Sequence, residues 1–418
     1  MKRKLTFAAA VLLLAFLVFA GYNAISGSGD DITAETTSAI QFSSASADSG
    51  TATLVSSYAD SALNVEDLFT GRDLEQTADL DEAEYLNLTS GQNVQITEEG
   101  VYVISGTASN VTVEVDAGDD AKVQLVLDGV NVTNATTAFI NVITADKVFV
   151  TLTDSTNYAA VTGSFGEGSV DAVIFSKSDL VLNGAGSLEI ASSKGNGVTS
   201  KDDLKITGGT YTITAALDGL EANDSIRVYD GDFTIVSGKD AVHSENEEDS
   251  SLGYVYIYNG TFAISASDDG IQGNAIVQID GGTINITQST EGIEGTYVQI
   301  NGGVIDIYAT DDGINAARKS AYDVVIEING GDLDVSVGSG DTDALDANGN
   351  LYITGGTLNI SANSAFDYDN IGTLSGGTVY VNGSLVTQLT SSIGGMGGMT
   401  QQSVFNTSPN QGGGGRRR

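Results

Sequence analysis

Between residues 171 and 381, apolar and polar positions alternate in short runs, each following a glycine that closes a turn. Aligning Gly186, Gly209, Gly231, Gly260, Gly282, Gly303, Gly331, Gly356 and Gly377 gives spacings of 23, 22, 29, 22, 21, 28, 25 and 21 residues. Two residues after these glycines stand Leu188, Tyr211, Phe233, Phe262, Ile284, Ile305, Leu333, Leu358 and Val379. Two further on stand Ile190, Ile213, Ile235, Ile264, Ile286, Ile307, Val335, Ile360 and Val381. Period-two alternation marks a strand with one buried face, and its recurrence in register at a fixed period marks a solenoid. A second apolar pair precedes the glycine in most coils, for example Ile226/Val228 and Val277/Ile279, and Val198, Leu220, Val242, Ile271, Ile293, Ile314 and Leu345 form a third column. Three short strands per coil of ~22 residues predict an all-β fold, a right-handed, single-stranded parallel β-helix whose coils stack about 4.8 Å apart. The Leu/Asn pattern of leucine-rich repeats is absent.

Ahead of the regular repeat, Val94 to Thr153 reads as strands without a constant period: Val101 to Gly106, Val111 to Val115, Val123 to Leu127 and Lys147 to Leu152. This predicts an irregular N-terminal β region and cap over 82–165 before a β-helix over 166–386, since a solenoid must blunt its open edge. Lys2, Arg3 and Lys4 precede an apolar run ending at Ala20, the plan of a secretory signal peptide over 1–20. An uncleaved membrane anchor competes with that reading, although the run lies at the short limit for spanning a bilayer. Residues 21–81, rich in Ser, Thr, Ala and Asp, are expected to be a spacer with a short ordered piece at Leu63 to Leu68, and 387–418 a Gly-rich tail without order of its own.

Composition narrows the chemistry. Seventeen Lys and Arg against 55 Asp and Glu give a net charge of −38, which repels nucleic acid and anionic membranes. With no Cys and one His, the chain has no thiolate chemistry, disulfides or Cys/His zinc cluster, and a Ser-His-Asp triad is open only to His243. The mature chain is expected to be a secreted or cell-surface monomer without a transmembrane segment.

The acids are not scattered. Nine residues beyond the turn glycine, successive coils carry Asp218, Asp240, Asp269, Glu291 and Asp312, with Asp171 before them and Asp343 after. Three residues further, Glu221, His243, Gln272, Glu294, Asn315 and Asp346 form a second row. Like charges about 5 Å apart repel, and a row of them calls for counter-ions; hard oxygen donors suit Ca²⁺. Against a bound Ca²⁺ stands ordinary turn chemistry, in which Asp before Gly caps its own turn. Asp341, Asp343, Asp346 and Asn348 form a further cluster whose spacing misses the EF-hand pattern.

Cations are scarce. Lys201 and Lys239 are the residues placed for a β-elimination base, and Arg227 and Arg318 for contact with carboxylate groups, while local ion pairs with the acid rows are the plainer use of all four. Tyr254, Tyr256 and Tyr258 alternate around Val255 and Ile257, with Tyr229 one coil away; outward rings would suit sugar rings, so Tyr229, Tyr256 and Tyr258 are candidate ligand contacts. The two longest coils carry insertions at 244–253 and 317–323, expected to wall a groove.

Ile96 to Gly106, Val123 to Val130 and the turns Asp269-Gly270-Ile271 and Asp312-Gly313-Ile314 together resemble the family of secreted bacterial carbohydrate-binding proteins with a pectate-lyase-like parallel β-helix, found mainly in clostridia and related Firmicutes. The resemblance covers about Leu86 to Val386. It implies binding of calcium and of plant-wall polysaccharide, acidic pectic chains and cellulose in particular, with metal ligands carried over to Asp218, Asp240, Asp269, Glu291 and Asp312. The lipoprotein cysteine of many relatives is absent. Three functions follow as expectations: a non-catalytic, Ca²⁺-dependent polysaccharide-binding protein; a polyuronate lyase using Lys239 or Lys201; and a Ca²⁺-stiffened surface stalk. The full metal-ligand expectation comprises Asp218, Glu221, Asp240, Asp269, Glu291, Glu294, Asp312, Asp343 and Asp346.

Overall fold

The computed structural model describes residues 62–391 except 167, 169 and 341, so the expected signal peptide, most of the 21–81 segment, nearly all of the Gly-rich tail and Asp341 of the acidic cluster lie outside the described residues. Within it the chain is all-β, a parallel solenoid of about 12 turns with no helix among the described residues. Each coil contributes three strands. In one coil these are Ser225–Val228, Asp232–Ser237 and Val242–Ser244, and they pair in parallel with Tyr254–Ile257, Thr261–Ser265 and Ile271–Ile279 of the next. These three pairings keep register without a slip, which sets each inward side chain above its counterpart, so the columns read from the sequence become internal stacks.

The second strand of each coil shows the alternation most plainly. Along Thr210–Ala215 every other residue is buried, and Ile213 pairs with Ile190 below and Ile235 above. Tyr211, Phe233 and Phe262 stack face to face inside, with ring centroids 5.4 and 4.5 Å apart. The side chains inside the coil therefore supply the apolar burial that a thin, extended fold otherwise lacks.

Parallel pairing is already present before residue 166, within the expected irregular first coils. Glu84–Asn87 already pairs in parallel with Gly100–Ser109, which pairs with Lys122–Asn134 in turn. The irregular first coils expected over 82–165 therefore continue into the β-helix rather than stand apart from it, and their differing lengths hide the period: Tyr102, Leu125, Val150 and Leu182 are successive partners in one ladder. At the other end, Thr378–Val381 turns back through Asn382 and Gly383, both at positive φ, and pairs antiparallel with Ser384–Val386. Such an Asn-Gly hairpin covers part of an edge that would otherwise offer its backbone to another chain.

A correction concerns the expected spacer. Residues 62–76 lie along the outer face of the first-strand ladder. The backbone N–H groups of Ala62 and Leu63 donate to the side-chain oxygens of Gln299 and Gln278 at 2.8 Å each. Val65, Leu68 and Phe69 pack on Tyr254, Tyr256, Ala275 and Ile276. Asp73, fully buried, sits between Lys147 at 3.1 Å and Lys205 at 3.4 Å. The two ammonium groups outweigh its burial and hold its carboxyl below the ordinary range.

Candidate functional site: an acidic strip along the coil turns

The acids project where the second strand of a coil turns into the third. In the Asp269-Gly270-Ile271 turn each residue has a separate task. Ile271 is buried in the core. Gly270 allows close stacking, since a Cβ there would stand 2.6 Å from the carbonyl oxygen of Gly292 in the next coil. Asp269 ties the coils together: its Oδ1 accepts the backbone N–H of Glu291, while its own N–H donates to Oδ1 of Asp240 at 2.8 Å. The same bond runs from the Asp240 N–H to Asp218 Oδ1 at 3.0 Å, and from the Asp343 N–H to Asp312 Oδ1 at 2.8 Å. Turn capping and a line of carboxylates are therefore the same feature, because Oδ1 of Asp218, Asp240, Asp269 and Asp312 serves the backbone of the next coil and leaves Oδ2 for other partners.

Register fixes the second row independently. Thr199, Glu221, His243, Gln272, Glu294, Asn315, Asp346 and Asp367 are successive partners in the third-strand ladder. The two rows meet in overlapping groups whose ligand atoms lie within 4.8 Å of one another: Asp218, Asp240 and His243; Asp240, Asp268 and Asp269; Asp269, Glu291 and Glu294. Asp268 was not foreseen, because the spacing argument singled out only its neighbour.

The third group is the most heavily strained electrostatically. Asp269 and Glu294 are each 5% exposed, and burial together with Glu291, Asp240 and Glu294 raises the Asp269 carboxyl far above its ordinary value. Burial and Glu294 push Glu291 in the same direction. Protein donors answer only part of this charge: Gln272 bonds Asp269 Oδ2 at 2.8 Å and also Glu294, Asn315 bonds Glu291 Oε1 at 3.0 Å, and Lys319 pairs with Glu294. Among the described residues, Glu291 Oε2 is buried with no donor in hydrogen-bond geometry, and Asn315 Oδ1 likewise. A buried carboxylate oxygen with no such donor, among three acids, fits a hard cation with oxygen ligands.

Other expected ligands are placed differently. Glu221 is occupied, accepting from Asn196 at 2.6 Å, Thr199 at 2.8 Å and Lys201 at 3.1 Å. Asn196, overlooked in the sequence, takes the rung below Asp218 and accepts its N–H, whereas Asp171 falls one position before Ala172, the residue paired with Asn196. Asp312 and Asp346 form a separate acidic stretch, pushed up to about 6 and about 7 by burial and by neighbouring acids. Asp343 accepts the Ser364 hydroxyl.

The expected exposed tyrosines are a correction. Tyr256 is wholly buried beneath Phe69, with its hydroxyl donating to Asp280 at 2.9 Å, and Tyr254 is 8% exposed. Tyr229 and Tyr258 stack at 5.1 Å and are half-buried, Phe69 meeting Tyr229 edge-on. Arg227 is committed to Asp203 at 2.8 Å and to the Leu68 carbonyl. Arg318 remains exposed and donates to the Tyr322 carbonyl at 3.2 Å. Only one insertion walls the expected groove: residues 245–248 line a cleft of about 570 Å³ with Lys201, Glu221, Asn223, Asp224 and His243, and no residue of 317–323 does so.

A family model described as carbohydrate-binding domain-containing protein matches residues 90–344 and 292–404, and the chain belongs to that family, as its sequence motifs implied. A relative from Acetivibrio thermocellus, also described as a carbohydrate-binding domain-containing protein, is 36% identical over 132 residues, covering 30% of this chain. The aligned part spans 46% of that relative's own length. Among solved structures, that of a polysaccharide lyase-like protein from C. thermocellum, a gadolinium derivative, is 30% identical at a TM-score of 0.47, covering 56% of this chain and 96% of the other.

Proposed function

We propose that this chain is a secreted, calcium-binding, non-catalytic protein that binds plant-wall polysaccharide, acidic pectic chains or cellulose. Membership of the carbohydrate-binding family supports the ligand class. The observation that carries the calcium reading is the buried Glu291 Oε2, which has no donor among the described residues and lies beside Asp269 and Glu294. Bound there, Ca²⁺ supplies positive charge and coordination positions that a uronate carboxylate can share. Without it, a chain of net charge −38 repels a polyuronate.

The residues of the chain supply the rest. Asp269 holds Oδ1 on the Glu291 N–H and Glu291 holds Oε1 on Asn315, so the positions of their second oxygens are set before any ion arrives. Lys239 argues against lyase chemistry. It pairs with Asp218 Oδ2 at 3.5 Å, and Asp218 and Asp240 outweigh its partial burial to raise its pKa, which does not favour a base. Lys201 is tied to Glu221.

Co-sedimentation of the purified chain with insoluble polygalacturonate, in Ca²⁺ or in EDTA, tests the proposal. Binding in Ca²⁺ alone with no unsaturated uronide in the supernatant is expected. Release of unsaturated uronide would make the protein a lyase, and absence of binding in both buffers would exclude the pectic ligand.

A further inference from the structure

The acidic strip is not chemically uniform. At one rung a nitrogen donor replaces oxygen: His243, the only histidine in the chain, stands where neighbouring coils carry Glu221 and Gln272. Its residue is 9% exposed, and among the described residues neither ring nitrogen has a partner in good hydrogen-bond geometry. Nδ1 faces Asp240 Oδ2 at 3.5 Å and Asp218 Oδ2 at 3.9 Å. Both aspartates have given Oδ1 to a backbone N–H of the next coil, so the two Oδ2 atoms are the ones turned toward the imidazole.

We infer that Asp218, Asp240 and His243 form a site for a first-row transition-metal dication of the Zn²⁺ type, distinct in chemistry from the all-oxygen group at Asp269, Glu291 and Glu294. One imidazole nitrogen and two carboxylate oxygens within 4.8 Å of one another are a borderline donor set, suited to Zn²⁺ or Co²⁺, whereas Ca²⁺ takes oxygen. Nε2 lies 3.6 Å from Glu245 Oε2, the place of the carboxylate that orients a ligating imidazole from its far side. The local cation is Lys239, 3.5 Å from Asp218 Oδ2, and its side chain is 46% exposed, free to swing into solvent when a dication takes the oxygen. The imidazole and Glu245 both line the cleft beside the strip, which gives an ion a route in. The inference does not depend on the calcium reading, since the two groups share no residue.

Having one histidine makes the test direct. The untagged full-length chain, labelled with ¹⁵N-histidine and stripped of metal, shows one pair of imidazole nitrogen resonances. Adding one equivalent of Zn²⁺ in excess Ca²⁺ is expected to shift Nδ1 to a metal-bound position, and Ca²⁺ alone is not. Losing an outer-shell partner costs about 10–100-fold in metal affinity, so His243→Gln is expected to weaken Zn²⁺ binding by at least ~100-fold. Its Ca²⁺ uptake and melting temperature, read on the same sample, should stay those of the parent. Unchanged imidazole resonances on Zn²⁺ addition, or equal Zn²⁺ affinity in His243→Gln, would overturn the inference. Failure to take up Ca²⁺ with Nδ1 still metallated would remove the calcium reading and leave this one standing.

Discussion

The backbone N–H of Asp240 donates to Oδ1 of Asp218, one coil away, at 3.0 Å. The bond gives each acid a structural duty separable from its charge, and substitutions can part the two. Asp240→Asn keeps an acceptor for the Asp269 N–H and should leave the melting temperature nearly unchanged while lowering metal uptake. Asp240→Ala orphans that buried N–H and should cost about 1–3 kcal/mol. Paired melting and metal-binding measurements separate them; equal destabilisation by both would show that charge, not capping, holds the turn.

Gly270 should be intolerant for a different reason. A methyl group there meets the Gly292 carbonyl at 2.6 Å, and the coils must part beside Asp269. Gly270→Ala is expected to lower both melting temperature and Ca²⁺ affinity, whereas Ala stands naturally at the matching position 241. Calorimetric titration beside thermal melting checks this.

The acids predict an unusual pH dependence. Asp312 and Asp346 lose their protons near 4 when unfolded but only at about 6 and about 7 when folded. Between those limits the folded chain binds more protons than the unfolded one, so metal-free stability should fall as pH rises from about 4 to about 7. The raised carboxyls of Asp269 and Glu291 act in the same sense and extend the decline upward. Asp73 and Asp218, which are lowered, matter only below about 4. Excess Ca²⁺ should flatten the slope. Melting curves over this range with EDTA and with Ca²⁺ give the comparison, and stability rising with pH in EDTA would contradict it.

Asp73 anchors the 62–81 segment through Lys147 and Lys205. Removing one partner of a buried ion pair commonly costs about 3–5 kcal/mol, because the other charge is left alone. Asp73→Ala should therefore release the segment while the coils persist. Limited proteolysis should cut within 62–81 and tyrosine fluorescence should report Tyr256 reaching solvent; unchanged protease resistance would count against this anchoring role.

Much of this was legible beforehand, and the exceptions have physical causes. Columns such as Ile213, Ile235 and Ile264 were plain because each coil repeats one inward position. The strands around Tyr102, Leu125 and Val150 were visible, but unequal turn lengths broke the period and hid their continuity with the later coils. The rows of acids could be read from spacing, but their occupancy could not: nothing in the sequence shows that Asn196 and Thr199 take up Glu221 while Glu291 Oε2 has no donor among the described residues. Tyr256 misled for a related reason. Outward alternation on a strand means exposure only if nothing lies above, and Phe69, 187 positions earlier in the chain, covers it.

The most direct test of the central claim is a polygalacturonate binding isotherm in Ca²⁺ for the parent chain and for Asp269→Asn/Glu291→Gln/Glu294→Gln, with folding checked by circular dichroism. The account predicts saturable, EDTA-sensitive binding by the parent and loss of binding by the folded variant. Equal binding by both would contradict it.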